Sequence, residues 1–179
     1  MLIISRAIDF VNTMIARVVI WLTLVMIFVA FGNATLRYTG RAIGENLTWT
    51  ASLDLQWYLY SIVFLGLGGY TMLRDSNVRV DVIYSRVNDR KKCVLDLIGL
   101  VLFIIPFALL IMYVSWPFVA NSLTVFERSP DPGGLPRWVI KPLIPLAFLL
   151  ILLQAVSQII KSVAFLAGKG PSPYPTSGI

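Results

Sequence analysis

The stretch DLQWYLYSIVFLGLGGYTML at residues 54–73, followed directly by RDSNVRVDVIYSRVNDRKKCVLD at residues 74–96, decides the fold of this chain. After Asp54 there are 19 residues without a charge, which is enough for one helix across a bilayer. The second part carries six basic and four acidic side chains. A hydrophobic segment that ends in a basic cluster predicts a transmembrane helix with that cluster on the cytoplasmic side.

The composition also indicates a membrane protein. Of 179 residues, 58% are hydrophobic and 13% charged, with a mean hydropathy of +0.80; soluble domains carry about 25% charged residues. The net charge of +6 comes from basic residues that flank apolar runs, which does not indicate nucleic-acid binding. With no histidine and the single cysteine Cys93, bis-histidine haem, Cys/His zinc and histidine-based catalysis are excluded. We expect no catalytic residue, cofactor or metal site.

Four uncharged runs cover residues 18–36, 55–73, 97–126 and 142–160. They predict an all-α integral membrane protein with four transmembrane helices at about residues 15–37, 54–74, 96–121 and 141–163. These helices form one membrane domain, residues 1–167. The third run is long enough for a helix of about 45 Å, more than the ~30 Å hydrocarbon core. Pro106 or Pro117 is expected to bend or end it.

Two further segments have their own patterns. Val80, Ile83, Tyr84 and Val87 recur at helical spacing, which predicts a short amphipathic helix at about residues 79–89, lying on the cytoplasmic membrane surface. The alternative is a solvated loop with chance spacing. Residues 168–179 are rich in Gly, Pro and Ser and are expected to form a flexible tail.

The orientation follows from the basic residues. With both termini cytoplasmic, ten Lys and Arg lie inside and five outside. Arg17 is counted on the inner side. The topology and interfacial anchors of the inner loop are Arg74, Arg79, Arg86, Arg90, Lys91 and Lys92.

The runs contain no charged residue, although ion-coupled transporters normally keep ionisable groups at membrane depth. They do contain packing residues. Gly66, Gly68 and Gly69 crowd the second helix, and Gln154 and Gln158 lie one turn apart in the fourth. These residues contact either helices of this chain or a partner subunit. The candidate contacts with a partner subunit are Gly66, Gly68, Gly69, Trp57, Gln154 and Gln158.

Two blocks of sequence carry a resemblance to a known family. The first is residues 54–92 followed by DLIG at residues 96–99; the second is SPDPGGLPRW at residues 129–138 followed by IKPLIPLAFLLILLQ at residues 140–154. Together they resemble the small membrane subunit (Q-type, DctQ-like) of tripartite ATP-independent periplasmic (TRAP) transporters, over roughly residues 36–161. The family often has His where this chain has Asn77.

The resemblance implies a bacterial inner-membrane complex of this subunit, a large membrane subunit and a soluble periplasmic substrate-binding protein. The large subunit moves a small organic acid with a sodium gradient, and the small subunit is a scaffold beside it, not an enzyme. Asp131 and Arg137 in the second outer loop are candidate contacts with the binding protein. The alternative function is an autonomous small homo-oligomeric transporter or channel. A membrane enzyme or redox anchor is disfavoured, and the substrate is not readable from this chain.

Overall fold

The computed structural model describes residues 2–45, 47, 49–74 and 88–168, and all regular structure in these ranges is helical. The helices are α1 (Leu2–Ile43), α2 (Thr50–Gly66), α3 (Gly68–Leu73), α4 (Asp89–Gly99), a π-helical turn (Leu100–Ile104), α5 (Ile105–Thr124), a 3₁₀ turn (Arg137–Val139) and α6 (Leu143–Leu166). The predicted interfacial helix lies outside the described residues apart from its last two positions, and so does the predicted tail beyond Gly168.

Among the described residues, three helical stretches are long and apolar enough to cross a bilayer: Leu2–Ile43, Asp89–Thr124 and Arg137–Leu166. They coincide with the first, third and fourth predicted spans. The second predicted span corresponds to α2 and α3, of 17 and 6 residues. Leu67 alone separates these two helices, and it keeps right-handed helical φ and ψ angles of −83° and −11°. The amide of Thr71 still bonds to the carbonyl of Leu67 at 2.8 Å.

The third span shows how its two prolines act. Pro106 has no amide hydrogen and cannot complete a bond to the carbonyl four residues earlier. The π-helical turn directly precedes it, and the amide of Ile105 bonds to the carbonyl of Leu100. A wider turn thus accommodates the first proline. Pro117 lies inside α5, which continues to Thr124, so the helix does not end at the second proline.

Helix α6 is the centre of the bundle, because α1, α2, α3, α4 and α5 all pack against it. Helix α1 packs in addition against α2 and α3. The buried residues are mostly small: Ala16, Ala51, Ala108, Ala147, Ala155, Ser5, Ser52, Ser115, Ser122, Ser157 and Ser162. In lipid there is no hydrophobic drive between helices, and small residues let backbones approach closely enough for dispersion contacts.

The closest approach is between α3 and α1 at Gly69. A Cβ atom at this position would lie 2.2 Å from Oδ1 of Asn12, which is itself buried. By contrast, a Cβ atom at Gly32 in α1 would have no atom within 4 Å. An added methyl group would therefore clash at Gly69 and meet open space at Gly32.

We predict that Gly69→Ala lowers the free energy of unfolding by about 1–3 kcal/mol, because the new methyl group forces α3 away from α1. The matched control Gly32→Ala should be neutral or raise stability by up to about 1 kcal/mol, since alanine favours helix. Thermal unfolding in detergent micelles measures both. Equal melting temperatures for Gly69→Ala and the unchanged protein would contradict this contact.

Candidate subunit-interface site

A cluster of polar side chains joins α1 to α6. We call it the polar cluster; its members are Ser5, Asp9, Asn12, Gln154, Ser157 and Lys161. The three from α1 are spaced by four and three residues, and the three from α6 by three and four, so each set lies on one helix face. Two apolar helices therefore present matching polar faces to each other.

Hydrogen bonds connect the cluster along its length. The Asn12 side chain donates to Oε1 of Gln154 at 2.8 Å, and Gln154 donates to Oδ1 of Asp9 at 3.1 Å. Ser157 donates to the same carboxylate oxygen at 2.8 Å, and its hydroxyl lies 2.8 Å from that of Ser5. Lys161 pairs with Oδ2 of Asp9 at 2.5 Å. The Asp9 carboxylate is thus held by three donors from α6, which fixes the register of the two helices.

The two glutamines make contacts inside this chain. Gln154 has no exposed surface, and it lies within the polar cluster. Gln158 is half-buried and donates to the carbonyl of Met72 at the end of α3, at 2.5 Å. Both glutamines thus have hydrogen-bond partners inside the bundle. Asp9 was missed by the sequence analysis because it precedes the first uncharged run and no local pattern links it to Lys161.

The glycines of the second span also face the chain's own helices. A Cβ atom at Gly66 would lie 3.1 Å from Val19 of α1, and one at Gly68 would lie 3.1 Å from Ile151 of α6. Trp57 differs, because 69% of its surface is exposed and it remains available to a partner.

Apolar side chains are exposed over much of the outside of the bundle, on α5 as well as on α1 and α2. Along α1 runs a row that we call the α1 stripe: Phe10, Met14, Arg17, Trp21, Leu24, Phe28 and Phe31. Apart from Arg17, their exposed fractions range from 42% at Met14 to 72% at Phe28. Another apolar surface is a groove of about 560 Å³ between α2, α3 and α6, lined in part by Phe64, Leu67 and Phe148.

At one end of the bundle, which we call the loop end, residues 127–136 fold onto the start of α2. Oδ2 of Asp54 accepts the amide of Leu135 at 2.8 Å. A Cβ atom at Gly134 would lie 2.5 Å from the same oxygen, so only glycine allows this approach. Asp54 is therefore a structural anchor for the loop. Asp131 and Arg137 both lie exposed at this end.

A second contact closes the same loop. The Glu127 carboxylate forms a short ion pair with Lys141, just before α6. The hydrogen bond from Lys141 lowers the pKa of Glu127 below its ordinary value. Phe126 has a positive φ of 46° and packs edge-on against Trp138, with ring centroids 6.0 Å apart. The loop is thus an ordered structure.

At the opposite end, which we call the basic end, lie Arg74, Arg90, Lys91, Lys92 and Lys161. Sγ of Cys93 contacts the carbonyl of Ser162 at 3.6 Å, which places the start of α4 beside the end of α6. The Arg74 guanidinium lies 5.4 Å from the centre of the Tyr70 ring. Arg79 and Arg86 lie outside the described residues.

The comparison with protein families agrees with this architecture. The model of the family "Tripartite ATP-independent periplasmic transporters, DctQ component" matches residues 26–165. Because the match covers most of the chain, this protein belongs to the DctQ family of TRAP transporter components, which is a family of transporter subunits and not of enzymes. It is a multi-pass membrane protein. No curated protein and no solved structure matches the chain.

We predict that Lys161→Met destabilises the bundle by about 1–3 kcal/mol, because the half-buried Asp9 carboxylate loses its cationic partner. The double variant Asp9→Asn with Lys161→Met should lose less than the sum of the two single changes, since the unpaired charge is gone. Unfolding in detergent at neutral pH measures this cycle. Strict additivity would show that the two side chains do not interact.

Proposed function

We propose that this chain is the small scaffold subunit of a sodium-coupled TRAP transporter for a small organic acid, in a bacterial inner membrane. In this role it holds the large membrane subunit, which carries out the transport, in place in the membrane. Membership in the DctQ family supports a tripartite assembly with a large subunit and a periplasmic binding protein. The sodium coupling, the substrate class and the scaffold role are inferences from the resemblance of residues 54–99 and 129–154.

The scaffold role rests on how polar and apolar side chains are divided between the inside and the outside of the bundle. Ser5, Asp9 and Asn12 of α1 are bonded to Gln154, Ser157 and Lys161 of α6, inside the bundle. Large apolar side chains, among them Trp21, Phe28 and Trp57, point outward. In a membrane-spanning bundle such a surface is covered by lipid or by another membrane protein, and membership in the DctQ family favours a protein partner for part of it.

The proposed topology puts both termini in the cytoplasm, with α2 and α3 together as a fourth span. The basic end of the bundle, with Arg74, Arg90, Lys91, Lys92 and Lys161, supports this orientation. The loop end would then be periplasmic, where Asp131 and Arg137 are exposed and able to meet the binding protein. Trp57 is a further candidate for contact with the large subunit, and so is the groove between α2, α3 and α6.

The alternative of an autonomous homo-oligomeric transporter gains no support from the polar cluster. In such a protein we would expect ionisable groups along an open path. Asp9 and Lys161 instead neutralise each other between α1 and α6, with Gln154 and Ser157 bonded to the same carboxylate. Within the described residues there is also no group of three or more acidic, Cys or His side chains that could hold a metal ion.

Uptake by reconstituted vesicles tests the proposal. We expect sodium-driven uptake of an organic acid when the large subunit, this chain and the binding protein are all present, and its loss when this chain is left out. The control contains this chain without the large subunit and should show no flux. Flux through vesicles that contain this chain alone would contradict the scaffold role and favour the autonomous transporter.

A further inference from the structure

Arg17 lies deeper in the bundle than the other basic residues of the helix ends. Ile15 and Val19, two residues before and after it, both face Gly66 of α2: a Cβ atom there would lie 3.1 Å from Val19 and 4.0 Å from Ile15. Arg17 is therefore level with Gly66. Arg74, at the basic end, follows Gly66 by eight residues, which is about 12 Å along a helix.

A second contact gives the same depth. Asp9 pairs with Lys161 at the basic end, and Arg17 follows Asp9 by eight residues of uninterrupted helix. Phe64 is the middle residue of the uncharged run 55–73, and it lies only two residues before Gly66. Since the hydrocarbon core extends about 15 Å on each side of its middle, both contacts place Arg17 well inside it. The sequence alone places Arg17 near the cytoplasmic end of the first expected span, residues 15–37, because only its position before the uncharged run 18–36 is visible.

The Arg17 side chain is exposed on the outside of the bundle, and no described residue forms a hydrogen bond or ion pair with it. A guanidinium that faces hydrocarbon without a partner is costly, so charged residues in spans normally meet an opposite charge. Snorkelling relieves this cost near helix ends, whereas Arg17 lies two helical turns further in.

The surroundings of Arg17 indicate what would cover it. The members of the α1 stripe follow one another at alternating intervals of four and three residues, from Phe10 to Phe31. Val11, Val18 and Val25 lie beside the stripe and are exposed too. A row with a 3.5-residue period suits packing along another helix with a small crossing angle, as the seam between the two. One polar residue in such a seam fixes the register of the partner. The stripe is about 31 Å long, which matches a full membrane crossing.

We propose that the α1 stripe is the docking surface for a transmembrane helix of the large subunit, and that Arg17 pairs there with a carboxylate of that helix inside the membrane. A second copy of this chain fits less well, because parallel α1 helices would bring Arg17 against Arg17. The proposal rests on the proposed function, since it takes the large subunit as the partner.

The test uses the tagged chain co-expressed with its large subunit in native membranes. The quantity measured is the amount of large subunit recovered per tagged chain after mild solubilisation. We expect Arg17→Glu to lower this recovery by at least about tenfold, because a like charge replaces the salt bridge in a desolvated seam. Arg17→Leu should lower it less, since it leaves the partner carboxylate unpaired without adding repulsion.

The matched control is Arg37→Glu. Arg37 is exposed on the same helix and undergoes the same charge change, but it lies at the far end of the uncharged run, off the stripe. Recovery for this variant should stay within about twofold of the unchanged protein. Thermal unfolding of each tagged chain alone shows whether a variant is folded. A photo-crosslinking residue at Trp21, in an otherwise unchanged chain, should link to the large subunit.

The outcomes distinguish a failure of the proposed function from a failure of the docking proposal. If the unchanged chain brings no large subunit with it, the proposed function fails. If it does, but Arg17→Glu recovers as much as Arg37→Glu, or Trp21 gives no cross-link, the docking proposal is overturned while the proposed function stands. Unchanged recovery of the large subunit, with loss of co-purifying anionic phospholipid in Arg17→Glu, would assign Arg17 to a lipid phosphate instead.

Discussion

The contact between α1 and α6 through the Asp9 carboxylate is the interaction on which the bundle depends. Hydrophobicity does not drive helices together in lipid, so specific polar contacts and close packing have to do so. Asp9 receives hydrogen bonds from Gln154 and Ser157 and an ion pair from Lys161. These contacts fix the register of α1, and with it the depth of every other residue on that helix, Arg17 included.

Close packing completes the arrangement set by the polar cluster. Once α1 is fixed against α6, α3 fits between them, because Gly69 admits Asn12 and Gly68 admits Ile151. Gln158 then ties the end of α3 to α6 through the carbonyl of Met72. The interior of the bundle therefore contains mostly small and polar residues, with a few large apolar ones such as Met72 and Leu100, and many bulky apolar side chains face outward. The outward-facing apolar side chains leave a surface that another membrane subunit can contact.

Much of this was predictable from the sequence, for identifiable reasons. Uncharged runs of membrane-spanning length predicted the three spans that the structure shows, and the motifs in residues 54–99 and 129–154 indicated the family. Gln154 was recognisable as a packing residue because an amide in an apolar run needs a partner. Its actual partners, Asn12 and Asp9, lie more than 140 residues away and have no local signal. The level of Arg17 beside Gly66 was hidden for the same reason, since it follows from contacts between helices.

In the proposed scaffold role the bundle is a fixed frame, with α1 held against α6 throughout transport. The measurement that tests this rigidity is the distance between two spin labels in the assembled complex, one at Ile4 on α1 and one at Val163 on α6. Both residues are exposed and lie near the polar cluster. We predict one narrow distance distribution that is unchanged by sodium, by substrate and by the binding protein. A distribution that shifts or splits when these are added would show that α1 moves against α6 during transport, and would contradict the scaffold role.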